Sequence, residues 1–216
     1  MNKFVLLFVM ILFIGCSKQK LETYKEMKSD KLISEFFTDI EIENLAKIVC
    51  FFESQICEEV KETNIQKAYK KLLKLDSIRL VDDGELFMMD YKKQKKLYLS
   101  LDSVFLKSFF DKGTMDKLIG INPEKRIKYE YLNLKVYGEN GLSKYISFLK
   151  KFSKENKLLE KYVESAEVSN DFPPLTGQAI LIYHYNKHKV NDIKIRLIYS
   201  FHHLNINEQN NYYHRL

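Results

Sequence analysis

Tryptophan is absent from this chain, and glycine and proline are scarce, at seven Gly and three Pro in 216 residues. All-β sandwiches need many turns marked by Gly and Pro, so their scarcity favours helices. No internal repeat and no low-complexity tract interrupts the sequence. A long hydrophobic run is missing as well. The longest, Phe4 to Ile14, falls well short of the roughly 20 residues that span a bilayer. There is no Gly-rich phosphate loop, nucleophile elbow, calcium loop or Cys-pair metal motif. These absences take away every motif-level argument for an enzyme, and no cofactor is expected.

What is present is concentrated at the N-terminus. Lys3 precedes the apolar run, and Gly15, Cys16 and Ser17 follow it. A basic start, a short apolar core and a small residue before the break form the layout of a secretory signal. Within it, Leu12-Phe13-Ile14-Gly15-Cys16 resembles the lipobox of bacterial lipoproteins. That resemblance implies cleavage before Cys16 and acylation of Cys16, with the protein held on a membrane by lipid. Two or more chains give stable attachment where one does not. Ser17 rather than Asp after the Cys implies, by analogy with Gram-negative lipoproteins, passage to the outer membrane. The expected organisation is a signal over 1–15, a lipidated N-terminus and tether over 16–36, a helical domain over 37–207 and a frayed C-terminus over 208–216.

Losing Lys3 with the signal takes Lys+Arg from 35 to 34 against 29 acids, a formal +5. Charge of both signs at this level suits solubility, and nucleic acid is not an expected partner outside the cytoplasm. Fourteen Tyr and 15 Phe supply a core. Once Cys16 carries lipid, Cys50 and Cys57 are the candidate disulfide. Seven residues along a continuous helix span about 10.5 Å, beyond the roughly 4.4–6.8 Å between Cα atoms that a disulfide needs. They can pair only if the helix breaks between them, and are otherwise buried free thiols.

The hydrophobic spacing predicts a mainly α fold, a single compact helical domain of about seven to nine helices with room for one short β-hairpin. Thr38 and Glu41 form a capping box flanked by Phe37 and Ile42, opening a stripe of Ile42, Leu45, Val49, Phe52 and Ile56. Thr63 and Gln66 suggest a second box before Ala68, Tyr69, Leu72 and Leu73. Asp90 and Asp102 are placed to cap two short helices, the second ending at Gly113. The helical period lapses from Ile121 to Gly141, where Tyr129 to Tyr137 reads as extended. It returns at Tyr145, Ile146, Leu149 and Phe152. Residues 179–201 fit both a hairpin and two helices; their length and lack of internal Gly or Pro favour helices.

Two constellations invite chemistry. His184 and His188 share a helix face at i and i+4, with His202 and His203 as further donors, a spacing zinc can use. No Glu stands beside His184 as in zinc proteases. Ser147 and Lys150 match the serine–lysine spacing of penicillin-recognising enzymes, but no Lys-Thr-Gly follows. Lys92, Lys93, Lys95 and Lys96 cluster as a solvated face or a contact for anionic headgroups. The expectation is an exported, lipid-anchored envelope protein that works without catalysis, as an adaptor or inhibitor of another envelope protein. A metal-binding protein or enzyme built on His184 and His188, or a purely structural lipoprotein, are the alternatives.

Overall fold

The computed structural model describes residues 19–82, 86–118, 126–139, 141–172, 174–183 and 190–214. Among them are ten α-helices, one 3₁₀ turn and two short antiparallel hairpins. The chain begins with α1 (19–29), α2 (Lys31–Phe36), α3 (Asp39–Val60) and α4 (Ile65–Asp82). Next come α5 (Tyr91–Ser100), α6 (Ser103–Phe109), β1 (Phe110–Leu118) and β2 (Arg126–Leu134). A minimal hairpin of β3 (Tyr137–Gly138) and β4 (Gly141–Leu142) leads to α7 (Lys144–Glu155). The 3₁₀ turn Lys157–Leu159, α8 (Glu160–Ser169), α9 (Pro174–Tyr183) and α10 (Ile193–His214) complete it. The mainly α class is as expected. No helix among the described residues is long and apolar enough to cross a membrane.

Local chemistry explains most boundaries. Thr38 and Glu41 close their box, the Thr38 N–H donating to Glu41 Oε2 at 2.7 Å and the Glu41 N–H to Thr38 Oγ1 at 3.4 Å. Asp90 and Asp102 cap α5 and α6 as expected. Gly141 takes φ +113°, a backbone region open to glycine. Pro174 occupies the first position of α9, where its fixed φ suits a helix start.

Four expectations are corrected. The cap of α4 is Asn64, whose Oδ1 accepts from the Lys67 N–H at 3.0 Å, one residue beyond Thr63. The helix after Asp102 stops at Phe109 rather than Gly113, and Gly113 pairs with Tyr131 in the β1–β2 ladder. The β-forming Tyr129 to Leu132 outweighs a short helix with little left to bury beyond Phe109. Residues 19–36 are folded against the body instead of serving as a tether, because Thr23, Met27, Leu32 and Ile33 are buried. Finally, 208–214 continue α10 rather than fraying. Asn205, Asn207 and Glu208 are buried, and the bonds that make this affordable are described below.

α10 is the central element. It packs on α3, α5, α9 and β2, and Leu197, Ile198, Tyr199, Phe201, Leu204 and Ile206 are fully enclosed. A helix buried on nearly every side belongs in the middle of a bundle. Phe201 stacks between Phe109, at 5.9 Å, and Tyr145, at 4.6 Å. This ties the segment before the hairpin to α7.

Candidate functional site

The sequence candidates divide clearly once placed. His184 and His188 lie outside the described residues. His202 and His203 are completely buried in α10. His202 Nδ1 lies 3.1 Å from Tyr162 Oη, and its ring covers Gly177, where an added Cβ would stand 2.5 Å from His202 Cε1. His203 stacks on Phe52 with ring centroids 4.9 Å apart. These two rings are packing elements. No group of three or more His, Cys, Asp or Glu among the described residues could hold a metal. Lys150, three residues after Ser147 on α7, is paired with Glu167 at 2.8 Å. Lys93 is paired with Glu58, and Lys95 sits over the Tyr91 ring. α3 runs unbroken past Cys50 and Cys57, and neither is in a disulfide. Cys50 Sγ contacts Thr23 Oγ1, and burial pushes the Cys57 thiol up.

A buried polar system missed by sequence reasoning surrounds α10. Asn205 Oδ1 accepts from the Leu134 N–H at 3.3 Å, and Glu208 Oε1 accepts from the Leu132 N–H at 3.4 Å. Asn205 Nδ2 donates to Phe172 O, while Asn207 takes the Met89 N–H and donates to Gln94. Gln94 in turn donates to Glu208 Oε2 at 3.2 Å, and Tyr91 Oη to Glu208 Oε1 at 3.0 Å. Buried polar groups are tolerable when satisfied in this way. The arrangement has a specific consequence. Leu132 and Leu134 turn their amides away from β1, and α10 side chains accept them in place of a third strand. Three helical residues rise about 4.5 Å and two strand residues about 6.8 Å, a difference that Asn and Glu side chains of unequal length absorb. Covering a strand edge with a helix is one way to close it. The signal was readable: Asn205 and Glu208 extend the stripe of Leu197, Phe201 and Leu204.

A second buried set joins α4, α9 and α10. Asp76 Oδ1 accepts from the Phe87 N–H at 3.1 Å, and Oδ2 accepts from Gln178 Nε2 at 3.0 Å and stands 4.0 Å from His203 Nε2. Burial raises Asp76 to about 6 and lowers His203 to about 3. Asp76 has an ordinary value of 3.8, so the fold holds its proton more tightly than the unfolded chain does. Its contribution to stability is full below pH 3.8 and is lost as pH rises through about 6. His203 runs the other way, its contribution full above its ordinary 6.5 and lost as pH falls towards 3. The two slopes oppose each other between them. In Asp76→Asn the first slope disappears. Rotation of the Gln178 amide would bring its unpartnered Oε1 to the new Asn amide. The variant is expected to match wild type at pH 4 and exceed it at pH 7.5 by up to about 3 kcal/mol, at about 1.4 kcal/mol per pH unit. Denaturant midpoints against pH check this; parallel curves for the two proteins would contradict it.

An apolar groove lies between α1 and α3. Lys20, Leu21 and Tyr24 of α1 face Asp39, Ile40 and Glu43 at the start of α3, enclosing about 420 Å³. Leu21 is 52% and Ile40 64% exposed. Lys20 pairs with Glu43 at 3.0 Å, and Lys28 pairs with Asp39, so the charged rim also links the two helices. Solvated pairs of this kind add little stability. An apolar floor with a charged rim is the common form of a contact patch. Comparison with protein-family models, with curated proteins and with solved structures gave no match.

Proposed function

We propose that this chain is an exported protein held by lipid at Cys16 on a bacterial cell envelope, at the outer membrane, and that its helical body acts by binding another envelope protein. The Leu12 to Cys16 pattern supports the anchoring. Binding rests on the α1/α3 groove, whose Leu21, Tyr24 and Ile40 offer an apolar floor that burial in a complex would remove from water. Lys20 to Tyr24 follow Cys16 by only a few residues in sequence, which suits a partner that also lies at the membrane. The buried titratable groups at α10 are occupied in packing and in hydrogen bonds to backbone, which favours a binding role over catalysis.

Growth with a labelled fatty acid, followed by capture from solubilised envelopes, tests both parts. Wild type is expected to carry label and Cys16→Ala to carry none. Label retained in Cys16→Ala would sink the anchoring. The same capture is expected to bring down one stoichiometric partner that is lost from Ile40→Asp. An empty capture, or a partner indifferent to Ile40, would contradict binding through the groove.

A further inference from the structure

α4 (Ile65–Asp82) is buried along one face and open along the other. Ala68, Tyr69, Leu72, Leu73 and Asp76 face the body and are buried. At about 100° per residue, the opposite arc is about 140° wide. It holds Lys67, Lys70, Lys71 and Lys74, and then Leu75, Ile78 and Val81. These last three are 37%, 49% and 82% exposed. Every charge on the arc up to Val81 is positive. Lys71 is held by Glu62 at 3.0 Å, whereas the ammonium groups of Lys67, Lys70 and Lys74 meet no carboxylate among the described residues. The two kinds of residue are separated along the axis. The lysines take the first two turns, and the aliphatic side chains take the roughly 9 Å of rise from Leu75 to Val81.

Single exposed aliphatic residues are ordinary. Val168 of α8, 90% exposed, is one of them, and it stands one turn after the exposed acid Glu164. On α4, by contrast, three such residues adjoin, and the charges beside them have one sign. That combination is complementary to a bilayer with anionic headgroups. A helix at such a surface sinks its apolar side chains about 5–10 Å into the headgroup boundary. Lysine stems run along apolar surface and keep their ammonium groups at the phosphates. The axial separation on α4 means that the helix lies inclined, with its Val81 end deeper. A protein surface is the poorer match. Interface cores are rich in aromatic residues and Arg and poor in Lys, and this arc has four Lys and no aromatic residue.

We propose that the open face of α4 is a membrane contact of its own, at which Leu75, Ile78 and Val81 enter an anionic bilayer surface and Lys67, Lys70 and Lys74 meet its phosphates. A body held only at its N-terminus can turn about that point, and a second contact fixes how it stands on the membrane. That orienting role rests on the anchoring proposed above. The contact itself uses neither Cys16 nor the α1/α3 groove, so the two readings can fail separately.

Because the chain has no tryptophan, one introduced tryptophan reports its own surroundings. Full-length Ile78→Trp and Val168→Trp would be mixed with vesicles of brominated phosphatidylcholine, with and without phosphatidylglycerol. With phosphatidylglycerol present, the bromines are expected to quench Ile78→Trp about threefold more strongly than Val168→Trp, the difference between a side chain in the headgroup boundary and one in water. Without it the difference should shrink. Adding Lys67→Ala, Lys70→Ala and Lys74→Ala, exposed changes to a good helix former, should bring the two proteins level. So should salt at about 1 M, where charges act over only about 3 Å. Equal quenching at the two positions, or quenching of Ile78→Trp indifferent to phosphatidylglycerol and to the lysines, would overturn the proposal. Shielding of Ile78→Trp only when another envelope protein is added would do so too, giving the face to a protein. Sedimentation of the chain with phosphatidylcholine vesicles alone reads the lipid anchor, and its failure would leave the reading of α4 in place.

Discussion

Replacing Arg196 by Met is expected to lower the stability of the domain by about 3–5 kcal/mol, the usual result of leaving a buried charge without its partner. Arg196 Nε donates to Glu53 Oε1 at 2.6 Å and Nη2 to Glu53 Oε2 at 3.1 Å, a two-pronged contact of the strongest type. Glu53 has no exposed side-chain surface, so water cannot replace the guanidinium. Tyr69 and Gln19 also donate to Glu53, but over longer distances of 3.5 and 3.2 Å and without charge. Burial alone would lower the Arg196 pKa; the bonds to Glu53 outweigh it and the net shift is upward. The double variant Glu53→Gln with Arg196→Met should recover most of the loss, since the stranded charge goes with its partner. Urea unfolding of the two variants separates the cases; equal losses would mean that packing rather than charge dominates. Arg196 Nη1 also holds Glu26 of α1 at 2.7 Å, so Arg196→Met should loosen α1 first.

Glu208→Ala is expected to cost about 3 kcal/mol, the scale of leaving buried hydrogen-bonding groups unsatisfied. It removes the acceptor for the Leu132 amide, and one acceptor each of Tyr91 Oη and of Gln94 Nε2, which keeps Tyr98 Oη at 2.7 Å. The loss should be unevenly distributed. β2 and the start of α5, which carry these partners, would become mobile, whereas α7 and α8 should keep their protection. Glu208→Gln, able to accept at one oxygen, should lose less. A uniform loss over the whole domain after Glu208→Ala would mean that this residue acts through general packing instead.

Those two residues also show where the sequence is readable. Short-range chemistry was legible. Thr38 and Glu41, Asp90 and Asp102 are capped as their spacing implies, and Tyr145, Ile146, Leu149 and Phe152 are buried along one face of α7. The choice of helices for 179–201 also holds over the described residues, with α9 ending at Tyr183 and α10 starting at Ile193. What escaped depends on partners distant in sequence. Asn205 and Glu208 continue the spacing of the α10 stripe, but their polar side chains read as a tail because the amides they accept lie 71 and 76 residues away. The 19–29 helix is charged and mixed, and it joins the body through Glu26, Met27 and Asp30, contacts that no local pattern announces. β1 follows directly on a helix because its pairing partner lies beyond the intervening turn, so periodicity within 103–113 carried no warning. Of the candidate site, the anchor pattern is local and visible. The groove is not, since it needs α1 laid against α3.

The most direct measurement is amide hydrogen exchange at Leu132 and Leu134 in the folded, full-length protein. The polar end of α10 is held to serve β2 where another strand would stand, so both outward-facing amides should exchange slowly, near the rate set by global unfolding. In Asn205→Ala the Leu134 amide alone should become fast. Rapid exchange of both amides in the wild-type protein, at the rate of an open strand edge, would contradict the arrangement at α10.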